Sequence, residues 1–222
     1  MKVIVLGSTG AVGTQLTLEL IRQQRVTAIT LLVRRPHPDS AIASSPKVTT
    51  AQVDVFDRNI YRKYITDHEV AFSTLGVGSP SGMSKEDFVK IDLDCVRAFG
   101  SECKAAGVRH FSSLGSVGAN KKSKIFYLRI KGQLEQSLID LQFGRTSLFR
   151  PSMILTPTNR YGIAQALTLK FYPWLSPLLV GSTKQYRGIK VEDLGKAMAR
   201  NALKAPSSPV ETLTWPDFQP PL

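Results

Sequence analysis

The sequence predicts an α/β protein, a doubly wound parallel sheet with helices on both faces, running as one unit over residues 1–222. Three observations carry this expectation. Short apolar runs rich in β-branched residues alternate with helix-period segments from the first residues onward. The first of these runs closes directly on glycines three residues apart. At 222 residues the chain has the size of one large α/β domain, and no Pro/Ser/Gly linker, charge block or internal repeat divides it.

The opening, MKVIVLGSTGAVG, organises the rest. Val3, Ile4, Val5 and Leu6 suit a strand covered on both faces. Gly7 permits a tight turn, Gly10 lets backbone approach a diphosphate, and Gly13 allows close helix packing. With Ser8, Thr9, Ala11 and Val12 they form a phosphate-cradling turn at a helix start, where unpaired N–H groups and the helix dipole favour an anion. The amphipathic segment that follows (Leu16, Leu18, Leu20, Ile21) supplies the helix, to about residue 24. A ligand-free strand-to-helix turn is the alternative reading of the same glycines.

Residues 28–33 read as the second strand, ending in Arg34-Arg35-Pro36. An acidic residue at that tip would accept from a ribose 2′-hydroxyl, whereas arginines accommodate a 2′-phosphate. The pair Arg34 and Arg35 therefore favours NADP over NAD, guanidinium forks matching phosphate oxygens, unless both are ordinary solvated side chains. A third strand over 48–53 leads to Asp54 and Val55, an acceptor and an apolar wall for adenine. Asp57 is placed to cap a helix over 58–65. A fourth strand over 69–75 ends in Leu75-Gly76-Val77-Gly78, where backbone can again approach a ligand. Ser84 and Asp87 form a capping-box variant before a helix whose stripe Phe88, Ile91, Cys95, Val96 and Phe99 reads as core. A fifth strand spans 108–114.

Composition narrows the classes. A formal charge of +12 invites a nucleic-acid reading, but the basic residues recur in small groups and form no basic-aromatic tract. No nucleic-acid partner is expected; a field of this sign also attracts a phosphorylated cofactor or an acidic small molecule. Residues 162–181 are the most apolar window, yet Lys170, Pro173 and Pro177 interrupt it, which argues against a membrane span. Cys95 and Cys103 stand about 12 Å apart along one helix and do not bridge. Free thiols and the lack of a charged-then-apolar leader give an expectation of a cytoplasmic protein. No metal-ligand set is evident, and His37, His68 and His110 read as structural or surface residues.

The second informative stretch is FYLRIKG at 126–132. Tyr127 and Lys131 are four apart and share a helix face. A phenol titrates near ~10, and an ammonium beside it makes the phenolate more accessible, giving a general acid or base for a carbonyl/alcohol pair. Lys131 would also hold the nicotinamide ribose.

Together, GSTGAVG at 7–13, STLG at 73–76, GAN at 118–120, FYLRIKGQLE at 126–135 and FRP at 149–151 resemble the short-chain dehydrogenase/reductase superfamily. Within it the chain is similar to the atypical branch of Tat-interacting-protein oxidoreductases, over about residues 2–193. The resemblance implies a three-layer Rossmann fold, NADP (NADPH) as cofactor and a Ser-Tyr-Lys set. Tyr127 would be the proton donor or acceptor, Lys131 its activator and Ser116 the serine, with Ser113 second. It also sets Pro151, Ser152 and Met153 beside the nicotinamide, Ser152 standing where the family often has glycine. Asp92 is only a weak stand-in for the relay asparagine of other members.

Farther on, a helix is expected over 160–170, and a small substrate-side region over about 152–190. In it Phe171, Tyr172 and Trp174 line a pocket or a homodimer contact, or pack as core. Lys121, Lys122 and Lys124 precede Tyr127 and favour an anionic substrate if they flank the site. Residues 191–200 resemble the late helix of extended members, and the proline-rich tail is expected on the surface.

Overall fold

The computed structural model describes residues 1–78, 82–156, 179–206 and 208–219. Its centre is a seven-stranded, all-parallel sheet in the order β3-β2-β1-β4-β5-β6-β9. The strands are β1 (Lys2–Leu6), β2 (Ala28–Val33), β3 (Val48–Gln52), β4 (Val70–Ser73), β5 (His110–Leu114), β6 (Arg145–Phe149) and β9 (Val210–Leu213). A separate parallel pair joins β7 (Ile154–Leu155) to β8 (Ile189–Lys190).

Every residue of β1 after Lys2 is buried because both faces of the sheet are covered. Ile4 and Leu6 point into one apolar layer, Val3 and Val5 into the other. The first layer is closed by α4 (Lys85–Val89), a π-helical turn (Lys90–Cys95), α5 (Val96–Ala105) and α6 (Phe126–Asp140), through Phe88, Val96, Phe99, Ile130 and Leu134. The second is closed by α1 (Ala11–Arg22) and α7 (Val191–Leu203), through Leu16, Leu20, Leu194 and Met198. These two helices cross closely at Gly195, where a β-carbon would stand 2.8 Å from the Leu16 nitrogen. Short α2 (Ser40–Ala43) and α3 (Arg58–Tyr61) are capped by Asp39 and Asp57. Ser84 Oγ accepts from the Asp87 N–H at 3.0 Å and caps α4.

Three expectations are modified. The helix anticipated over 58–65 is α3 followed by a 3-10 turn, Arg62–Tyr64, so it is shorter in α geometry. The helix after Ser84 is interrupted by the π turn, which no apolar spacing announces. The described tail is largely exposed, as expected, but it is also built into the fold: β9 completes the sheet against β6, and Phe218 of α8 (Trp215–Phe218) stacks on Phe149 with centroids 5.8 Å apart. Pro209 precedes the strand and Pro216 sits in the first turn of α8, where its missing N–H is tolerated, and the open edge of β6 supplies the pairing that a short, half-exposed VETL segment lacks alone. The expected helix at 160–170 and the aromatics Phe171, Tyr172 and Trp174 lie outside the described residues.

At the amino-terminal end of the strands a buried polar cluster fastens β9 on. His110 Nε2 lies 2.8 Å from Ser147 Oγ, and Glu211 Oε1 accepts from Arg145 Nε and Asn201 Nδ2, each at 2.9 Å. Burial and the Arg145 charge lower the His110 pKa to about 4, against the opposing pull of Glu211. His37 and His110 are thus buried structural residues, while His68 bridges the Ile65 carbonyl and Thr30 Oγ1. Cys95 and Cys103 are free and buried.

Candidate active site

A cleft of about 400 Å³ opens at the carboxyl ends of the strands, beside the point where the strand order reverses between β1 and β4. Open α/β sheets bind ligands there, because helix starts and strand ends leave backbone groups facing out of the sheet.

The glycine turn forms one wall. Gly7 has φ +90°, and a β-carbon on it would sit 2.5 Å from the Leu75 nitrogen. Gly13 is packed harder: its β-carbon would meet the Gly7 carbonyl oxygen at 2.2 Å and Thr74 Oγ1 at 2.7 Å. Gly10 has open space around it, the nearest such contact being 3.4 Å. It caps α1 with no side-chain hydrogen bond and no acidic residue follows in the first turn, so the helix start faces the cleft uncompensated. Thr74 Oγ1 donates to the Gly7 carbonyl at 3.0 Å, and His37 Nε2 lies 3.1 Å from the Ser8 carbonyl; together they hold the turn from both sides.

The opposite wall comes from β5, α6 and the strand end of β6. The segment after β5 is laced to the one after β6: Gly115 N–H donates to the Phe149 carbonyl at 2.7 Å and Val117 N–H to the Pro151 carbonyl at 3.0 Å. The 118–120 turn rests on Gly132, whose β-carbon would collide with the Lys121 nitrogen at 2.2 Å. That contact explains the glycine after Lys131 and sets the loop bearing Ser116 over the helix bearing Tyr127. The Tyr127 ring lies between Phe88, centroids 5.9 Å apart, and Lys131 Nζ, 5.8 Å from its centroid.

Lys131 is buried, and its Nζ stands 2.7 Å from Oδ1 of a wholly buried Asp92. Burial alone would pull its pKa down; the Asp92 carboxylate, then Tyr127, outweigh it, and the net direction is upward. One turn on, burial pushes the Glu135 carboxyl above its usual range although Arg150 pairs with it, Nε to Oε1 at 3.0 Å. Glu135 lies directly under Gly115, whose β-carbon would be 2.7 Å from Oε1.

Of the residues anticipated, Gly10, Ala11, Val12, Leu75, Gly76, Ser116, Tyr127, Lys131, Pro151, Ser152 and Met153 line this cleft together. Gly7, Ser8 and Gly13 lie beneath it as structure, and Thr9 is exposed. Val77 turns its N–H to Asp92 Oδ2 at 2.9 Å. Arg34, Arg35 and Asp54 are exposed past β2 and β3 and are not part of the lining, nor is Val55, which is buried and whose carbonyl accepts from Cys95 Sγ at 3.2 Å. Burial and the Asp54 charge push the Cys95 thiol up to about 11, with Arg34 pulling back. Ser113 is buried within β5 and is not part of the lining.

Leu114, Gly115, Ile154 and Thr156 also line the cleft, and Asp92, expected only as a weak stand-in for an asparagine, is the partner of Lys131. Its signal was present: Phe88, Asp92 and Val96 are four apart, so a carboxylate interrupts a buried stripe. Thr74 was legible only as part of the STLG string.

The donor set fits a dinucleotide. Bare backbone at Gly10 and an uncompensated helix start suit phosphates, and the same cleft continues to Tyr127 and Lys131. The comparisons agree. A sequence-family model described as NAD(P)H-binding matches residues 7–143. Protein HTATIP2 of Rattus norvegicus is 30% identical over 95% of this chain and 85% of its own length. Protein FMP52-1, mitochondrial, of Scheffersomyces stipitis is 32% identical over 70% of this chain and 68% of its own. Among solved structures, MoeE5 in complex with UDP-glucuronic acid and NAD superposes with a TM-score of 0.74 over 96% of this chain and 76% of that one, at 16% identity.

Fold and site thus define an NAD(P)-binding protein of the Rossmann type. The chain belongs to the NAD(P)H-binding family and is a relative of HTATIP2 and the FMP52 proteins. One expectation is overturned: the FMP52 relatives are named mitochondrial, which points away from the cytoplasm. A test for a secretory leader says nothing about other organelles, so that inference had no physical hold on the question. Among the described residues no helix is long and apolar enough to cross a membrane.

Proposed function

We propose that the protein is an NADP-dependent oxidoreductase of the short-chain dehydrogenase type, acting on a carbonyl or alcohol of a small, anionic molecule. The observation that carries this is the meeting of Ser116, Tyr127 and Lys131 with Gly10, Ala11 and Val12 in one cleft. Bound in its reduced form, the nicotinamide supplies a hydride to a carbonyl carbon. Ser116 Oγ donates a hydrogen bond to the carbonyl oxygen and fixes its direction. Tyr127 Oη gives that oxygen its proton as charge develops there, a contribution of about 10²–10⁴ in rate. Lys131 has three N–H donors, enough to stay paired with Asp92 at 2.7 Å and still meet ribose hydroxyls.

NADP is preferred to NAD in this reading because the tip of β2 presents Arg34 and Arg35. The nearest acid, Asp39, is already engaged by the Ala41 and Ile42 N–H groups. Lys121 donates to Gln136 Oε1, so Lys122 and Lys124, both exposed, remain to attract an anion. The test is a panel of carbonyl compounds with NADPH, run on the parent and on Tyr127→Phe. Turnover by the parent, reduced at least ~10²-fold in the variant with NADPH affinity intact, is expected. Equal turnover in both removes the phenol from the chemistry. Tight NADPH binding with no turnover across the panel would favour a nucleotide-binding regulatory protein.

A further inference from the structure

Asp92 is a wholly buried carboxylate behind Gly76 and Lys131 of the cleft lining, and it takes no direct part in the proposed chemistry. Its two oxygens do different things. Oδ1 pairs with Lys131 Nζ at 2.7 Å, and Oδ2 accepts the Val77 N–H at 2.9 Å, fifteen residues back in the chain. Between these partners runs the backbone of Gly76, so close that a β-carbon there would lie 3.0 Å from Asp92 Oδ1 and 3.1 Å from Lys131 Nζ. The loop after β4 is therefore laid directly over the ion pair. Asp92 itself sits in the π turn Lys90–Cys95, a wider winding that recurs where helices serve a site.

We propose that Asp92 is the positioning residue of this site: its carboxylate keeps Lys131 a fixed, charged ammonium and hangs the Leu75–Val77 loop on the same group. Lysine and cofactor-side loop then move as one unit. The proposal rests on the oxidoreductase reading for its purpose, but its physical content concerns two side chains and one N–H. A buried ammonium without a counter-charge sheds its proton, because desolvation favours the neutral amine. The titratable and charged groups facing Lys131 among the described residues are Asp92 from the π turn, Tyr127 and Glu135 from its own helix, and Arg150, beyond Glu135, from the end of β6. Glu135 is engaged by Arg150, so Asp92 is the carboxylate available to hold the charge.

The test uses the full chain with lysine-selective ¹⁵N labelling, the Lys131 Nζ signal being assigned by its loss in Lys131→Met. In the parent, Lys131 should remain an ammonium beyond the ordinary lysine value of ~10.4. In Asp92→Asn it should titrate at least about one unit below that value, and Asp92→Glu should return it upward. NADPH fluorescence on the same samples should show affinity weakened about tenfold in Asp92→Asn, through the loosened Val77 loop. Unchanged titration in a folded Asp92→Asn protein overturns the charge role, and unchanged NADPH affinity overturns the coupling to the loop. Should Asp92→Asn not fold, the double variant Asp92→Asn/Lys131→Met decides: recovery of a folded protein supports mutual pairing, and failure overturns it. No substrate or turnover enters, so a failed carbonyl panel leaves these readouts intact, and the reverse also holds.

Discussion

His37 Nε2 lies 3.1 Å from the carbonyl oxygen of Ser8, twenty-nine residues earlier. Nδ1 of the same ring accepts the Asp39 N–H at 3.2 Å, so the proton resides on Nε2 and the ring donates to Ser8. This buried imidazole ties the loop after β2, with Arg34 and Arg35, to the phosphate turn after β1. His37→Phe keeps the volume and strands both backbone groups, a loss of about 1–3 kcal/mol in stability. Thermal melts should fall, and NADPH titration should weaken more than two-fold; an unchanged melt would show that water replaces the ring.

The glycines of the turn separate by contact. Gly13→Ala drives a methyl onto the Gly7 carbonyl at 2.2 Å and should cost roughly 1–3 kcal/mol or more, visible in urea unfolding. Gly10→Ala meets nothing nearer than 3.4 Å and should fold within about 0.5 kcal/mol of the parent. It should nonetheless lose NADPH affinity about tenfold, because its methyl stands where a diphosphate approaches.

Arg34 and Arg35 are exposed, and no acidic residue stands beside them in the sequence at the end of β2. Replacing both with alanine should reduce the preference for NADPH over NADH by about 10- to 100-fold, as charge-assisted hydrogen bonds to a 2′-phosphate are lost. Isothermal titration with both dinucleotides checks this. NADH affinity should hardly move.

Stability should fall in mild acid. The folded His110 pKa is lowered to about 4 from 6.5, so between those values the unfolded chain binds the extra proton. Stability is therefore full above pH ~6.5 and drains as pH falls toward ~4, by up to roughly 3 kcal/mol. Hydrogen bonds to Glu211 outweigh its burial and lower its pKa, which adds a loss of the same sign at lower pH. Urea midpoints between pH 7 and 4.5 should show the slope, and His110→Gln should flatten it.

By itself the sequence determined the alternation, the parallel sheet, the glycine turn and the Tyr127–Lys131 spacing. Each of these is local: β1 is legible because five residues carry strand pattern and covering on both faces, and the tyrosine and lysine share a face through helical geometry alone. Tertiary structure alone decided that the 115–120 loop is pinned over α6 by Gly132 and that the tail completes the sheet beside β6. It alone decided, too, that Asp92 is spent on Lys131 and Val77. Those facts depend on groups eleven to sixty-six residues apart finding one another. A carboxylate in an apolar stripe announces that it needs a partner, but the partner is chosen only when the sheet brings the strand ends together.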